Sequence, residues 1–389
     1  MMMNIQEKIE DISLMEPLSH TRYPEAELIR SYGGNSLAFF GLFPQNLHFL
    51  TPDGAGLVNY RLVNKVAVVL GDPVCAPEAI EKVVQSFLDY CAFYHWRVAF
   101  YQASAEYLPA YRALGLHAFK IGEEAILNPQ TFTLRGSAIA NVRISARRAE
   151  RDGISIQWYE GVPPTTVMRS LEDVSRAWLE HKAGKETAET GFSTGRLDDV
   201  MESAELAERT ASPSVSVSGS GAPRFVTAVV TTNAGTACAF VTFTPIYAAP
   251  IGEDARPGTQ GWGWSLDLMR RTSDAPPGVM ELVLVRALER FRLCGAQVVS
   301  MGLAALADTS QEMTAGQRQL VGMISDRLHM LEGRQTLFKF KQKFHPCWQS
   351  RYLVTNATLA LPRVALAVLR LRNYSGGGVT RLVRGSDKS

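Results

Sequence analysis

Ser137-Ala138-Ile139-Ala140-Asn141-Val142-Arg143-Ile144-Ser145-Ala146-Arg147-Arg148-Ala149-Glu150-Arg151-Asp152, closed by Gly153, divides this chain of 389 residues into two stretches of like character. The segment reads as a helix. Arg143 and Arg147 stand four apart, as do Arg147 and Arg151. Like charges at that spacing oppose a lone helix by ~0.2–0.5 kcal/mol a pair. An anion gathered by the arginines and a plain exposed linker between two domains both account for this, and the sequence leaves the two open.

Upstream, residues 57–60 and 65–70 read as a strand pair, the second ended by Gly71-Asp72-Pro73 because proline cannot continue a central strand. Residues 77–95 carry Ile80, Val83, Val84, Phe87, Leu88 and Cys91 at the spacing of an amphipathic helix. Residues 97–102 form a strand and 107–114 a helix stopped at Gly115. Residues 120–127 return as a strand with Glu123 and Glu124, of which at most one faces a cleft. Downstream the pattern starts over. Strand 154–158 and helix 164–181 are followed by a hairpin, 224–231 and 236–244, around Asn233-Ala234-Gly235. Then come helix 279–293, strand 297–303 and the mostly helical 309–330. Residues 182–194, 212–222 and 249–261 read as loops, and the last seventeen residues as a frayed tail. Both halves mix strands and helices of similar length, which suggests duplication of one fold without a visible residue-level repeat.

A formal net charge of +2 excludes a generally basic nucleic-acid coat, so any anion site must be local. The positive charge gathers late: residues 334–386 hold ten Lys and Arg and no Asp or Glu. There basic residues alternate with aromatics, a pattern that suits a polyanion with hydrophobic parts as well as it suits a solvated helix face. Five scattered cysteines without a CxxC pair fit reduced thiols in a cytoplasm. No apolar run reaches the ~18 residues of a membrane span, and residues 1–10 lack the character of a signal peptide. Residues 354–371, broken by Pro362 and Arg363, fit an interfacial helix or a core helix with a basic end.

Chemistry concentrates in Ser265-Leu266-Asp267-Leu268-Met269-Arg270-Arg271. Asp267 and Arg270 are three apart, which places them on one face of a helix. A carboxylate beside a guanidinium can orient an amine and stabilise an oxyanion; an ordinary surface ion pair is the plain alternative. Glu281 falls in the first turn of a helix, where an acid favours the dipole. Gly302 permits close backbone approach at the end of a strand. Nucleotide-binding glycine loops, GxSxG and zinc-type His spacings are all missing, so no metal and no nucleotide cofactor is expected.

Gly71-Asp72-Pro73-Val74, Phe100-Tyr101-Gln102, Lys120-Ile121-Gly122-Glu123-Glu124-Ala125, Asn141 with Arg143, the 265–270 segment, Ser300-Met301-Gly302-Leu303-Ala304 and the run from Phe340-Lys341-Gln342-Lys343-Phe344 through Pro346, Trp348 and Arg351-Tyr352-Leu353 occur in this order. Together they resemble the catalytic domain of the phosphatidylglycerol lysyltransferases, from about residue 30 to 370. The resemblance implies a mixed α/β fold of tandem GNAT-like acyltransferase units joined by a basic helix. The corresponding units here are an N-terminal domain 1–136, a linker helix 137–152, a catalytic domain 153–372 and a tail 373–389. Members typically carry a membrane flippase before this domain; these residues hold only the catalytic part.

The implied activity is transfer of an aminoacyl group from aminoacyl-tRNA to a hydroxyl of an anionic membrane lipid, phosphatidylglycerol by default. The donor is a substrate and no cofactor is expected. The implied catalytic residues are Asp267, Arg270, Lys341 and Lys343. Arg143, Arg147, Arg148, Glu281, Gly302 and Arg351 are expected to bind tRNA or substrate. The expected location is the cytoplasm, with a peripheral place at the inner face of the membrane as the alternative. In acetyl-CoA enzymes of the GNAT fold a glycine-rich turn before a helix holds pyrophosphate. The turn at 273–278 has two prolines instead, which remove N–H donors. An acyl-CoA-dependent N-acyltransferase and a non-catalytic tRNA- or lipid-binding module are the alternatives.

Overall fold

The computed structural model describes residues 24–182, 195–210, 223–247, 261–305, 331–356 and 361–372. The loops expected at 212–222 and 249–260, most of 182–194, the helix expected at 309–330 and the tail lie outside the described residues. Helix α1 (Pro24–Tyr32) leads into β1 (Leu47–Leu50), β2 (Gly56–Val63), β3 (Val66–Leu70) and β4 (Val74–Cys75). Then follow α2 (Ile80–Phe93), β5 (Arg97–Ser104), α3 (Leu108–Ala113), β6 (His117–Leu127) and α4 (Ala140–Arg151). The second half contains β7 (Ser155–Glu160), α5 (Thr165–Lys182), α6 (Val200–Thr210), β8 (Val226–Thr231), β9 (Ala237–Ile246) and β10 (Gly263–Arg271). It closes with α7 (Val279–Leu293), β11 (Val298–Ala305), α8 (Leu331–Gln342), β12 (Cys347–Thr355) and α9 (Leu361–Arg372).

All strands join one sheet in the order β1-β2-β3-β5-β12-β6-β11-β10-β9-β8-β7, with β4 on β2. Each half has an antiparallel ribbon, then a parallel pair crossed by a helix: β3 and β5 across α2, β10 and β11 across α7. The final strand of each half is exchanged. β6 lies between β11 and β12, and β12 between β5 and β6. The tandem reading therefore holds, and the lobes interlock: residues 347–355, expected with the second unit, complete the sheet of the first.

Alternation along the strands sends apolar side chains to both faces. On one face α5 and α6 cover Val229, Phe240 and Leu268, and α9 lies over β2 and β3; on the other α4 and α7 cover Val226, Val241 and Phe243. The run at 354–371 resolves accordingly. Val364, Ala367 and Val368 of α9 are buried in the core, so its apolar stripe is already occupied.

The joining helix is packed, not merely exposed. Val142, Ala146 and Ala149 are buried against α7, and small residues let the two helices approach closely. The tightest point is Gly278, the residue before α7, at φ 89°. A Cβ there would collide with the Ser145 carbonyl oxygen. Both the left-handed backbone and the contact require glycine. Gly278→Ala is expected to destabilise the protein by ~2–3 kcal/mol in urea unfolding; a loss below about 0.5 kcal/mol would show that α4 can yield at this point.

Candidate active site

The 265–270 segment is a strand, not a helix, and in a regular strand Asp267 and Arg270 would point to opposite faces. A β-bulge corrects this. Leu266 pairs with Phe243 and Met269 with Val241, so Asp267 and Leu268 together oppose Thr242. The extra residue brings Asp267 and Arg270 onto the α5 side of the sheet. Thr242 Oγ1 fills the bulge: it accepts from the Leu268 N–H at 3.0 Å and donates to Asp267 Oδ2 at 3.2 Å. The Gly195 N–H donates to Asp267 Oδ1 at 2.6 Å. A Cβ on Gly195 would lie 2.7 Å from Oδ2, so glycine permits this approach. Burial pushes the Asp267 carboxyl up to about 6, against the two hydrogen bonds and the Arg270 charge that lower it.

Arg270 is buried beneath α5. Its Nη1 donates to Ser175 Oγ, and its guanidinium stands 5.0 Å from the Trp178 ring centre and 5.9 Å from that of Phe240. Aromatic faces attract a desolvated guanidinium and fix its plane.

β10 and β11 run parallel only through Ser265 and Ser300; beyond that β10 follows β9 and β11 follows β6. The strands splay, and the opening faces their carboxyl ends, where open α/β sheets receive ligands. Asp267 lies on one wall. Gly302, at φ 77°, lies on the other, within a second bulge between Ser300 and Leu303. Lys341, from α8, reaches this wall and donates to the Gly302 and Leu303 carbonyls at 2.9 and 3.2 Å. Burial lowers its ammonium to about 8, with the nearby Glu124 carboxylate opposing the shift.

Behind the opening runs a chain of buried polar groups. Tyr111 Oη donates to Asp72 at 2.9 Å, and Ser104 Oγ donates to Asp72 at 2.6 Å while accepting from Arg351 Nη1 at 3.0 Å. Arg351 Nε meets Glu124 Oε2 at 2.7 Å. Ser300 Oγ donates to Glu124 Oε1 and accepts from the Gly302 N–H at 3.0 Å. Burial alone would raise Glu124; Arg351 and the hydroxyls of Ser300 and Ser36 more than offset it, holding the carboxyl below its ordinary range.

The structure thus gathers Asp267, Arg270, Gly302 and Lys341 at the opening and sets Arg351 in the layer behind it. It places Lys343 and Glu281 elsewhere. They pair with each other at 2.8 Å in the α7 layer, where Lys343 Nζ also lies 5.6 Å from the Phe340 ring centre. Arg143 is engaged by the loop before α4, donating to the Leu134 and Gly136 carbonyls at 2.5 and 2.9 Å. Arg147 and Arg148 face outward, Arg148 within 3.9 Å of Asp152. Thr242, Gly195, Ser175 and Trp178 carry no local sequence signal, because each acts through a partner distant in the chain. Asp72 and Glu124 lie in motifs noted above, but their roles appear only when Arg351 is beside them. Among the described residues no cluster of His, Cys, Asp or Glu is placed to hold a metal, and no helix is long and apolar enough to cross a membrane.

Two interlocked α/β lobes with a polar cleft at one splayed strand pair define a tandem, strand-exchanged domain of the mixed α/β class. Residues 26–355 match the family model described as phosphatidylglycerol lysyltransferase, C-terminal, and the chain belongs to that family. It is 27% identical over 362 residues to phosphatidylglycerol lysyltransferase of Bacillus subtilis, covering 92% of this chain and 38% of that protein. The corresponding protein of Staphylococcus epidermidis is 25% identical over 347 residues, covering 88% of this chain and 37% of its own length. The solved structure of L-PGS from Bacillus licheniformis superposes with a TM-score of 0.70 at 26% identity, covering 92% of this chain and 98% of that one. The chain therefore spans less than half the length of these curated relatives and nearly all of the solved domain.

The raised Asp267 carboxyl makes a signed prediction. The folded state retains a proton that an unfolded carboxyl, near 3.8, releases, so this group's contribution to stability falls as pH rises from about 4 through about 6. Asp267→Asn keeps an oxygen for the Gly195 N–H, turns its amide to donate to Thr242 Oγ1, and removes that loss. Urea midpoints should show the variant matching the wild type below pH ~4 and exceeding it above pH ~6; a difference independent of pH would mean that Asp267 titrates like a solvated acid.

Proposed function

We propose that this domain transfers an aminoacyl group from aminoacyl-tRNA to a hydroxyl of a membrane lipid. The names of its relatives point to lysine as the amino acid and phosphatidylglycerol as the acceptor. The observation that carries the reading is the bulge in β10, which puts an acid and a guanidinium on one face at the mouth of a splayed strand pair.

One ester replaces another. The lipid hydroxyl oxygen attacks the aminoacyl carbonyl carbon, a tetrahedral oxyanion forms, and the ribose oxygen leaves. The proton of the attacking hydroxyl ends on that ribose oxygen. The exchange is close to isoenergetic, so positioning and charge stabilisation suffice. Asp267, ionised above about pH 6, holds the ammonium of the aminoacyl group or takes the hydroxyl proton. Lys341, with its ammonium lowered to about 8, is suited to give a proton to the leaving ribose oxygen or to face the oxyanion. Arg270 supplies fixed positive field from a dry site, where charge acts most strongly.

A helix N-terminus able to hold a CoA pyrophosphate would favour the acyl-CoA alternative. Here the start of α7 has Pro276 and Pro277 in its approach, and the Ser145 carbonyl packs on Gly278. The two prolines and this close packing on the turn support a donor held elsewhere. The outward arginines of α4 are the candidate tRNA contact.

With radiolabelled aminoacyl-tRNA and dispersed lipid, Asp267→Ala, Arg270→Ala and Lys341→Ala should each lower turnover by about 100-fold or more, whereas Lys343→Ala should change it little. Full activity in the first three would remove the site. Arg147→Ala/Arg148→Ala/Arg151→Ala should weaken tRNA binding and flatten its logarithmic salt slope by roughly one unit for each phosphate no longer neutralised. Arg143→Ala should instead lower stability and leave the slope alone. An unchanged slope in the triple variant would return α4 to a purely structural part.

A further inference from the structure

The parallel and antiparallel pairings fix which chain reversals share an end of the sheet. β3 and β5 are parallel, and β12 is antiparallel to both β5 and β6. β11 is antiparallel to β6. The starts of β3, β5 and β6 therefore lie at the same end of the sheet as the carboxyl ends of β10 and β11, toward which the cleft opens. β5 and β11 are three strand spacings apart, roughly 15 Å across the sheet, and the register sets Arg97 about eight residues, roughly 25 Å, further along the strands than Gly302.

That end of the first lobe has an unusual surface. The reversals are residues 64–66, 93–97 and 112–118, and none contains an Asp or Glu. They carry Lys65, Arg97 and Arg112, all exposed, and among the described residues none of the three is ion-paired. Lys65 sits in a tight turn with Asn64, at φ 60° and 52°, and its carbonyl accepts from the Arg97 N–H at 2.9 Å, so the two basic residues are neighbours. Beside them, at the end of α2, Phe93 is 79% exposed and Tyr94 46%. Tyr94 stacks on Trp96 with ring centres 4.9 Å apart, and Phe93 abuts Tyr94 at 5.1 Å. The nearest acid on α2, Asp89, accepts from Gln85 one turn below. At the opposite end of the same lobe the reversals carry Asp53, Glu78 and Glu106.

We propose that this aromatic and basic end of the first lobe is the surface by which the protein docks on an anionic lipid bilayer. Large apolar rings left in water mark an interaction surface. Rings held against one another lose little freedom on insertion, and Lys and Arg beside them complement an anionic headgroup layer. Single-stranded RNA would also meet aromatics and cations, but it stacks bases on open ring faces. Here the Tyr94 and Trp96 faces cover each other, leaving Phe93 to project. The choice of a bilayer rests on the functional reading above, in which a lipid hydroxyl must reach the cleft. The patch would hold the headgroup layer at the end of the molecule toward which that cleft opens.

The test is co-sedimentation without any tRNA donor, using vesicles of phosphatidylcholine alone and of phosphatidylcholine mixed with phosphatidylglycerol. The protein should partition onto the mixed vesicles, and Phe93→Ser and Lys65→Glu/Arg97→Glu should each lower that partition by roughly tenfold while retaining the wild-type melting temperature. Unchanged partition in both variants would overturn the proposal. So would loss of tRNA binding in Lys65→Glu/Arg97→Glu with vesicle binding intact, which would make the face an RNA surface. Because no donor is present, co-sedimentation reads the patch alone; in the separate assay with radiolabelled aminoacyl-tRNA, a protein that docks through this patch but transfers nothing would sink the functional reading alone, and patch variants that transfer to vesicle lipid at the wild-type rate would sink this proposal alone.

Discussion

The contact between Glu124 and Arg351 holds the two lobes in register. Its members stand 227 residues apart in the chain and lie on adjacent central strands, both within a few per cent of full burial. A buried carboxylate and guanidinium lose several kcal/mol of hydration each, recovered only when every remaining lone pair and proton finds a partner. Here they do. Ser300 and Ser36 serve the carboxylate, and Ser104 and Gln349 serve the guanidinium. Removing one partner of such a pair costs about 3–5 kcal/mol, because the other charge remains buried. The pair also reaches the cleft, since the Ser300 hydroxyl that it holds accepts the Gly302 N–H and so fixes the bulge beneath Lys341.

The two bulges have a common purpose. Each interrupts a strand where it borders the splay, and each turns a group toward the opening that a regular strand would send elsewhere. On β10 the group is Asp267; on β11 it is the pair of carbonyls that receive Lys341. The site thereby assembles a carboxylic acid near neutrality and an ammonium below its ordinary value from residues on three separate elements. Both shifts have burial as their leading cause. Desolvation is unfavourable to the fold and useful for proton transfer, because it brings acid and base toward each other in strength.

Much of the architecture was legible in local pattern. The strand pair 57–60 and 65–70, the helix within 77–95 and the break at Gly115 follow from apolar spacing and from glycine, and the structure moves their ends by only a few residues. The joining helix was legible too, but not its burial: Val142, Ala146 and Ala149 look ordinary until α7 is placed against them. The pairing of Asp267 with Arg270 was anticipated through a helical spacing that does not exist. The true cause is Thr242, on another strand, whose hydroxyl stabilises an inserted residue. The family resemblance groups Lys343 with Lys341 at the site. A helix end separates them, sending one to the cleft and the other to Glu281. Glu124 and Arg351 gave no sign of each other, since nothing short-range reports which strands will be exchanged.

The exchange has a consequence for how the molecule is made. A ribosome delivers β5 and β6 together, yet the strand that separates them, β12, lies about 220 residues further along the chain. Until then the first lobe has a slot through its middle, flanked by two bare strand edges of the kind that recruit neighbouring chains. An acid stands in that slot. While Arg351 is still unsynthesised, Glu124 remains hydrated and charged, and it discourages any foreign strand from settling there. The same carboxylate that later locks the halves together thus guards the vacancy during synthesis, and the slot closes only when β12 brings the matching cation.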